Sequence, residues 1–192
     1  MTNDFPMGCS ASLHPRVSSR HLPSAKVKTV AVPLTADTKN TLRESWKLVE
    51  PLKTEAGKLM FVRLFETHPN IQDTFPTFKG VSLDELMNSR SLYLHAKRVM
   101  AAVDNAINAL DDCEVLIESL TSLGQRHQAW SVMEDHFAVV GEALLWTLQD
   151  LLQSKCTSQV LEAWTELFKF ITKTMLVGIR VNEADDGKLY SC

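Results

Sequence analysis

The stretch SRSLYLHAKRVMAAVDNAINALDDCEVLIESLTSLGQRHQAW, residues 89–130, predicts two helices, each with a histidine beside its apolar face. At about 100° per residue, the apolar residues of the first helix fall on one stripe. The stripe consists of Leu92, Ala96, Val99, Val103, Ala106 and Leu110. His95 borders it, roughly 70° from its centre. In the second helix His127 shares a face with Leu120 and Leu123. We therefore expect both imidazoles to point into one apolar cleft.

Polar residues lie opposite the apolar stripe of the first of these helices. They are Lys97, Asp104 and Asn108. This is the side of the helix that we expect to face solvent.

The composition indicates an intracellular globular protein. Hydrophobic residues are 45% and charged residues 22% of 192 residues, enough for one domain with a tail. The net charge is −3, so nothing indicates nucleic-acid binding. No apolar run reaches the roughly 18–20 residues that span a bilayer, and no secretory signal is visible. The cysteines are far apart, which argues against a zinc ribbon and covalently attached c-type haem. No catalytic motif appears, so no catalytic residue is assigned.

From residue 34 to residue 181 the hydrophobic periodicity is helical, with no alternating strand pattern. It predicts one all-α domain of six long and two short helices. Thr35 is predicted to cap the first helix, and residues 82–85 and 131–134 each read as a capping box. The last helix is expected to fray after Gly178.

The two ends of the chain, residues 1–33 and 182–192, are predicted to be disordered. The first holds four of the seven prolines, mixed with serines and basic residues. Within it MGCSAS, residues 7–12, matches the myristoylation pattern if translation begins at its methionine. Gly8 would then carry myristate and Cys9 could carry palmitate, and two acyl chains are enough for stable membrane anchoring. The alternative is a chance match.

Two histidines on separate helices could bind opposite sides of one metal, since imidazole is the commonest protein ligand for iron, zinc and copper. Small-metal sites usually add further His, Cys or carboxylate ligands, and the faces around His95 and His127 hold apolar residues instead. That composition suits a flat cofactor with its own in-plane ligands, such as haem. Arg98 could meet a haem propionate at the pocket mouth. The alternative is that each histidine is a hydrogen-bonded structural residue.

Ordered matches along residues 34–181 resemble a globin of the neuroglobin-like branch. RESWKLV (residues 43–49) resembles the first globin helix with its tryptophan. LFETHPNIQDTF (64–75) resembles the segment through the third helix, which ends on the haem-stacking phenylalanine. LHAKRVM (94–100) and SLGQRHQAW (122–130) resemble the segments of the distal and proximal histidines. The resemblance implies the globin fold, a three-over-three helical sandwich.

The same resemblance implies a role for each matching residue. His127 would bind the iron of haem b on the proximal side, and His95 would face the sixth position, as the distal histidine of neuroglobin-like proteins does at rest. The implied pocket residues are Phe61, Phe75, Arg98, Val99, Leu123, Val132, Phe137 and Phe168. Phe168 stands where neuroglobins tend to have tyrosine, so a hydroxyl is absent there.

The implied function is reversible binding of O2, NO or CO at a bis-histidyl haem. It would serve redox relay, sensing or nitrite/NO chemistry with an unknown reductase, including nitrite reductase or NO dioxygenase-type side activity, rather than bulk oxygen transport. The N-terminal pattern resembles globin X, a membrane-associated relative, and implies a location in the cytoplasm or, when acylated, on the inner leaflet of the plasma membrane. The alternative is a haem-free globin-fold interaction module at a membrane.

Two cysteines flank the elements of the expected site. Cys113 precedes the His127 helix and Cys156 precedes the last helix, so they are candidates for a redox disulfide that could shift the first of these helices. Two unpaired thiols are the favoured reading in a reducing compartment.

Overall fold

The computed structural model describes residues 34–186, with side chains through residue 180. Within this part of the chain there are eight α-helices and no strand. The helices are α1 (Ala36–Val49), α2 (Lys53–Thr67), α3 (Pro69–Gln72), α4 (Leu83–Met87), α5 (Arg90–Asn108), α6 (Cys113–His127), α7 (Glu134–Leu152) and α8 (Ser158–Asp186). The prediction of six long helices and two short ones is confirmed. The predicted N-terminal arm, with Gly8 and Cys9, and the end of the predicted tail lie outside the described residues.

Two of the predicted helix starts are capped as expected. The Thr35 hydroxyl accepts a hydrogen bond from the N–H of Thr38 at 3.1 Å, which satisfies one free donor at the start of α1. Ser82 and Glu85 form a reciprocal capping box at α4, each side chain accepting from the other residue's N–H. Local sequence chemistry therefore fixes where these helices begin.

Two other predictions of helix ends are wrong. Residues 131–134 form no Ser–Glu capping box, because Ser131 has φ 50° and a left-handed backbone, whereas an N-cap residue is extended. Met133 takes the N-cap position of α7 instead, and its N–H donates to His136 Nδ1 at 3.3 Å. At the other end of the chain, α8 does not fray after Gly178 but continues to Asp186. The helix penalty of this buried glycine is offset because α8 packs against α6 there.

The long helices bury two neighbouring apolar clusters. The larger cluster joins α1, α2, α5 and α7 with the first half of α8, while the smaller joins α6 with the second half of α8. Among the described elements, α6 packs most extensively against α8. The His127 helix is therefore held mainly by α8.

No helix of the described region is long and apolar enough to cross a membrane.

The side of α5 that was expected to face solvent is partly covered by α1. The Asp104 carboxylate is only 20% exposed and accepts hydrogen bonds from the Trp46 indole N–H and from Lys53 Nζ, each at 2.7 Å. The helical period placed Asp104 opposite the apolar stripe of α5, but it could not show that α1 lies across that side. Desolvation opposes ionisation, yet the bonds from Lys53 and Trp46 hold the pKa of Asp104 below its usual value.

Replacing Asp104 should destabilise the fold. Asp104→Ala leaves the buried Trp46 indole without its acceptor, and we expect a loss of about 1–2 kcal/mol in the free energy of unfolding near neutral pH. Urea denaturation of the full chain measures it. Asp111→Ala is the matched control, because Asp111 also accepts bonds from two side chains, Lys39 and Arg43, but is 72% exposed, and surface ion pairs contribute little. Equal losses for the two variants would contradict this account.

The effect of Asp104→Ala should depend on pH. Because the pKa of Asp104 is lower in the folded state, the stabilisation by its carboxylate is present above its ordinary value of 3.8 and is lost as the pH falls through the folded value. We expect the stability difference between the wild type and Asp104→Ala to be constant near neutral pH and to narrow below about pH 3.8. A difference that widens on acidification would refute this linkage.

Candidate functional site

His127 is the last residue of α6, and its ring orientation is fixed by the backbone of its own helix. Its Nδ1 lies 2.9 Å from the carbonyl oxygen of Leu123, one turn earlier. A carbonyl oxygen only accepts hydrogen bonds, so Nδ1 must carry the proton. The lone pair is therefore on Nε2, the atom that is left free to bind a metal.

His95 lies on α5 among aromatic side chains from the preceding elements. Its ring centroid is 4.8 Å from that of Phe61 on α2, with an edge-on geometry. It is 5.4 Å from that of Phe75 and 5.7 Å from that of Phe78, both in the segment between α3 and α4. The ring is half-buried, and these three phenylalanines present no acid or hydroxyl to it. His95 therefore sits in an apolar cage of side chains.

Burial is the main influence on the titration of His95. It lowers the pKa of His95 to about 4, and Coulombic effects of His127 and Arg98 act in the same direction. The imidazole is therefore neutral near pH 7 and has a lone pair to offer. That His95 and His127 point into one cleft stays a prediction.

The donor chemistry fits a planar cofactor better than a bare metal ion. Within residues 34–186, no group of three or more His, Cys, Asp or Glu side chains could hold a metal ion. What the region offers is one imidazole with a free Nε2, one neutral imidazole, and aromatic walls. Haem supplies four in-plane nitrogen ligands of its own and needs from the protein only axial ligands and an apolar pocket. The residues present fit that requirement.

The remaining predicted pocket residues divide between the two apolar clusters. Phe61, Phe75, Val99 and Phe168 belong to the larger cluster or pack against it. Leu123, Val132 and Phe137 belong to the smaller cluster or pack against it. Arg98 is exposed, yet its charge acts on His95, as expected of a cation at the edge of a pocket. Their contacts with a cofactor stay predictions.

The structure adds two details that the sequence did not reveal. Phe78 is 2% exposed and contacts both Phe75 and His95, but it lies in a segment without helical periodicity, so no pattern marked it. Phe168 lies against Gly141 of α7, where a Cβ atom would come within 2.7 Å of its ring. A glycine on α7 therefore makes room for the Phe168 ring beside α7.

Neither Cys113 nor Cys156 is in a disulfide. Cys113 is an exposed free thiol, and Cys156 is a half-buried free thiol. Burial raises the pKa of the Cys156 thiol, which makes it a poorer nucleophile near neutral pH.

Comparison with known proteins agrees with this geometry. The chain is 33% identical over 153 residues to neuroglobin of Tetraodon nigroviridis, which covers 79% of this chain and 96% of that protein. It is 34% identical over 148 residues to neuroglobin of Chaenocephalus aceratus, with coverages of 77% and 93%. These matches confirm the predicted neuroglobin-like relationship.

Solved structures give the same answer for the fold. A hexacoordinated heme protein from an anhydrobiotic tardigrade superposes with a TM-score of 0.73 at 30% identity, over 77% of this chain and 96% of that one. Hemoglobin from the botfly Gasterophilus intestinalis superposes with a TM-score of 0.70 at 20% identity, over 76% and 98%. The predicted three-over-three sandwich is therefore confirmed.

The globin family model matches residues 58–175, more than half of the chain and all of the elements that carry the two histidines. Members of this family bind haem, and through it diatomic gases such as O2. The chain belongs to the globin family.

Proposed function

We propose that this globin holds haem b between His127, a permanent axial ligand, and His95, an exchangeable one. The observation that carries the proposal is the cage of phenylalanines around the His95 ring, together with a His127 ring whose Nδ1 bonds the Leu123 carbonyl and leaves Nε2 free. Haem supplies an iron atom with two axial positions that can exchange ligands and electrons. A neutral imidazole held in an apolar pocket is a suitable occupant of the second of these positions.

The protein groups on the two sides have different tasks. On the proximal side, the Leu123 carbonyl holds the His127 ring and raises the basicity of its Nε2. On the distal side, His95 is held by ring contacts with Phe61, Phe75 and Phe78, and such contacts are individually weak. His95 can therefore leave while His127 stays.

The exchange of His95 shapes the physiological role that we propose. A gas molecule binds only after His95 has moved away, so its apparent affinity is reduced by the fraction of the protein in the open state. That competition favours sensing, redox relay with a reductase, or NO and nitrite chemistry over bulk oxygen transport. The tardigrade protein described above as hexacoordinated, at 30% identity, supports the bis-histidyl state.

The bis-histidyl state can be tested by removing His95. The wild type should show a Soret band and, in the ferrous deoxy form, the split visible bands of six-coordinate haem. His95→Ala should make ferrous deoxy iron five-coordinate and remove the dependence of CO binding on His95 release. His68→Ala is the control, because His68 ends α2 and its Nδ1 is within hydrogen-bonding distance of the Thr67 hydroxyl. A ferrous deoxy spectrum of His95→Ala identical to that of the wild type would contradict the proposal that His95 binds the iron.

The permanent ligand calls for a separate test. His127→Gly should lose haem readily, and added imidazole should restore binding by filling the space of the missing ring. Absorption spectra during transfer of haem to apomyoglobin measure the loss. His136→Gly, which removes a histidine at the start of α7, should retain haem as the wild type does. Haem retention by His127→Gly without imidazole would show that another residue binds the iron.

A haem-free interaction module is the competing function. Colourless protein, purified from cells with ample haem, would favour it over a haem globin. The presence of both His95, in its aromatic cage, and His127, with its Nε2 free, favours the haem protein, because an interaction module needs neither ring.

We also propose that a form of the chain starting at Met7 is acylated and bound to the cytoplasmic face of the plasma membrane, whereas the form starting at Met1 stays in the cytoplasm. The support is the sequence pattern of residues 7–12.

Chains that begin at Met1 and at Met7 should differ in lipid attachment. In cells supplied with labelled myristate, the Met7 form should be labelled and recovered with membranes, while Gly8→Ala in that form should abolish both. Cys9→Ser should keep the myristate label but weaken membrane retention, since one acyl chain binds only marginally. Equal labelling of the Met7 form and its Gly8→Ala variant would contradict the proposal.

A further inference from the structure

The contact between α6 and α8 depends on two glycines that face backbone. A Cβ atom on Gly124 of α6 would lie 2.1 Å from the carbonyl oxygen of Met175 on α8. A Cβ atom on Gly178 of α8 would lie 2.1 Å from the carbonyl oxygen of Thr121 on α6. Both distances are far inside van der Waals contact, so each glycine allows the other helix to approach.

The two contacts define the register of the helices. Moving from Thr121 to Gly124 along α6 corresponds to moving from Gly178 back to Met175 along α8, so the helices run antiparallel. One more step of three residues reaches His127 on α6 and Thr172 on α8. Extended by this step, the register brings His127 beyond the glycine contact, at the level of Thr172 along the facing helix.

Polar bonding does not set the spacing of the two helices at this contact. The Thr121 and Thr172 hydroxyls are buried, and neither has a hydrogen-bond partner within the described part of the chain. Hydrogen bonds from these hydroxyls therefore do not set the distance between α6 and α8. The backbone contacts at Gly124 and Gly178 limit how closely the helices can approach.

Other glycines of residues 34–186 do not have such rigid neighbours. At Gly57 the nearest atom to an added Cβ is Met100 Cγ at 2.7 Å, and the nearest backbone atom, the Ala96 carbonyl oxygen, is 3.1 Å away. At Gly141 the nearest atom is in the Phe168 ring, at 2.7 Å. At Gly80 there is nothing within 4 Å. Side chains can rotate away from a new methyl group, whereas a helix backbone moves only as a unit. Gly124 and Gly178 are thus the positions where a methyl group would displace a whole helix.

We propose that Gly124 and Gly178 are positioning residues for the proximal histidine. Their contact sets the distance between α6 and α8, and this distance fixes the position of His127. The inference rests on the proposed haem function. His127 follows Gly124 by three residues, and its ring is bonded to the carbonyl of Leu123, the residue before Gly124. A displacement of α6 therefore reaches His127 Nε2 without being absorbed by side-chain rotation.

The sharpest variant is Gly178→Ala, which leaves the sequence of α6 untouched. We expect haem to dissociate about tenfold faster than from the wild type, the factor that a moderate overpacking cost produces. In the haem-free protein, amide hydrogen exchange in α6 should accelerate as well. Gly124→Ala should act in the same way, and the double variant should be less than additive because both methyl groups open one contact.

Ser119→Ala is the matched control on α6. Ser119 is exposed, and alanine there raises helix propensity, as it does at a glycine, without adding bulk toward α8. It should match the wild type in haem retention and in α6 exchange. Circular dichroism establishes that each variant is folded.

A milder pair keeps the proposal testable if the glycine variants fail to fold. Thr172→Val has the shape of threonine and removes an unpartnered hydroxyl, so it should match the wild type. Isoleucine has one methylene group more than valine, so Thr172→Ile should speed haem loss relative to Thr172→Val. Equal haem loss in Thr172→Ile and Thr172→Val would overturn the inference in that case.

The outcomes separate the two proposals. A folded Gly178→Ala protein with wild-type haem retention would overturn the positioning role, even if exchange in α6 changed, because the contact would then be structural only. Faster haem loss together with faster exchange in α6 would support it. A wild-type chain that retains no haem would defeat the proposed function, and this inference with it.

Discussion

The hydrogen bond from His127 Nδ1 to the Leu123 carbonyl is the interaction on which the site depends. It fixes the tautomer of the ring, and so it decides which nitrogen can bind a metal. The carbonyl belongs to the same helix as the histidine, so the orientation of α6 determines the orientation of the ring. Everything that holds α6 in place, above all its packing on α8, therefore also fixes the position of the proposed iron ligand.

The proximal and distal sides are built from different kinds of contact. His127 is held by backbone, through its own helix and through the close approach of a second helix. His95 packs against the side chains of Phe61, Phe75 and Phe78. Backbone contacts in packed helices are stiff, while side chains change rotamer readily. This difference in stiffness is what the proposed roles of a fixed and a removable ligand require.

Periodicity predicted much of this arrangement, and its failures have physical causes. The two histidines and most of the helices follow from the spacing of apolar residues, because burial of one face is what that spacing records. Asp104 was misplaced since helical spacing within α5 cannot show that α1 covers the polar side. Phe78 was missed since it lies in a non-helical segment. Residues 131–134 were misread since a capping pattern does not reveal the left-handed backbone of Ser131.

The glycines between α6 and α8 also limit how this protein could be engineered for stability. Exchanging a helical glycine for alanine is a common route to a more stable protein, because it reduces the freedom of the unfolded chain. At Gly124 and Gly178 the added methyl group would clash with a carbonyl oxygen of the facing helix. At Gly57 an added Cβ would meet Met100 Cγ at 2.7 Å and the Ala96 carbonyl oxygen at 3.1 Å, and at Gly141 it would meet the Phe168 ring at 2.7 Å. None of the described helical glycines therefore offers an unobstructed place for this exchange, so thermal tolerance has to be gained elsewhere in the molecule.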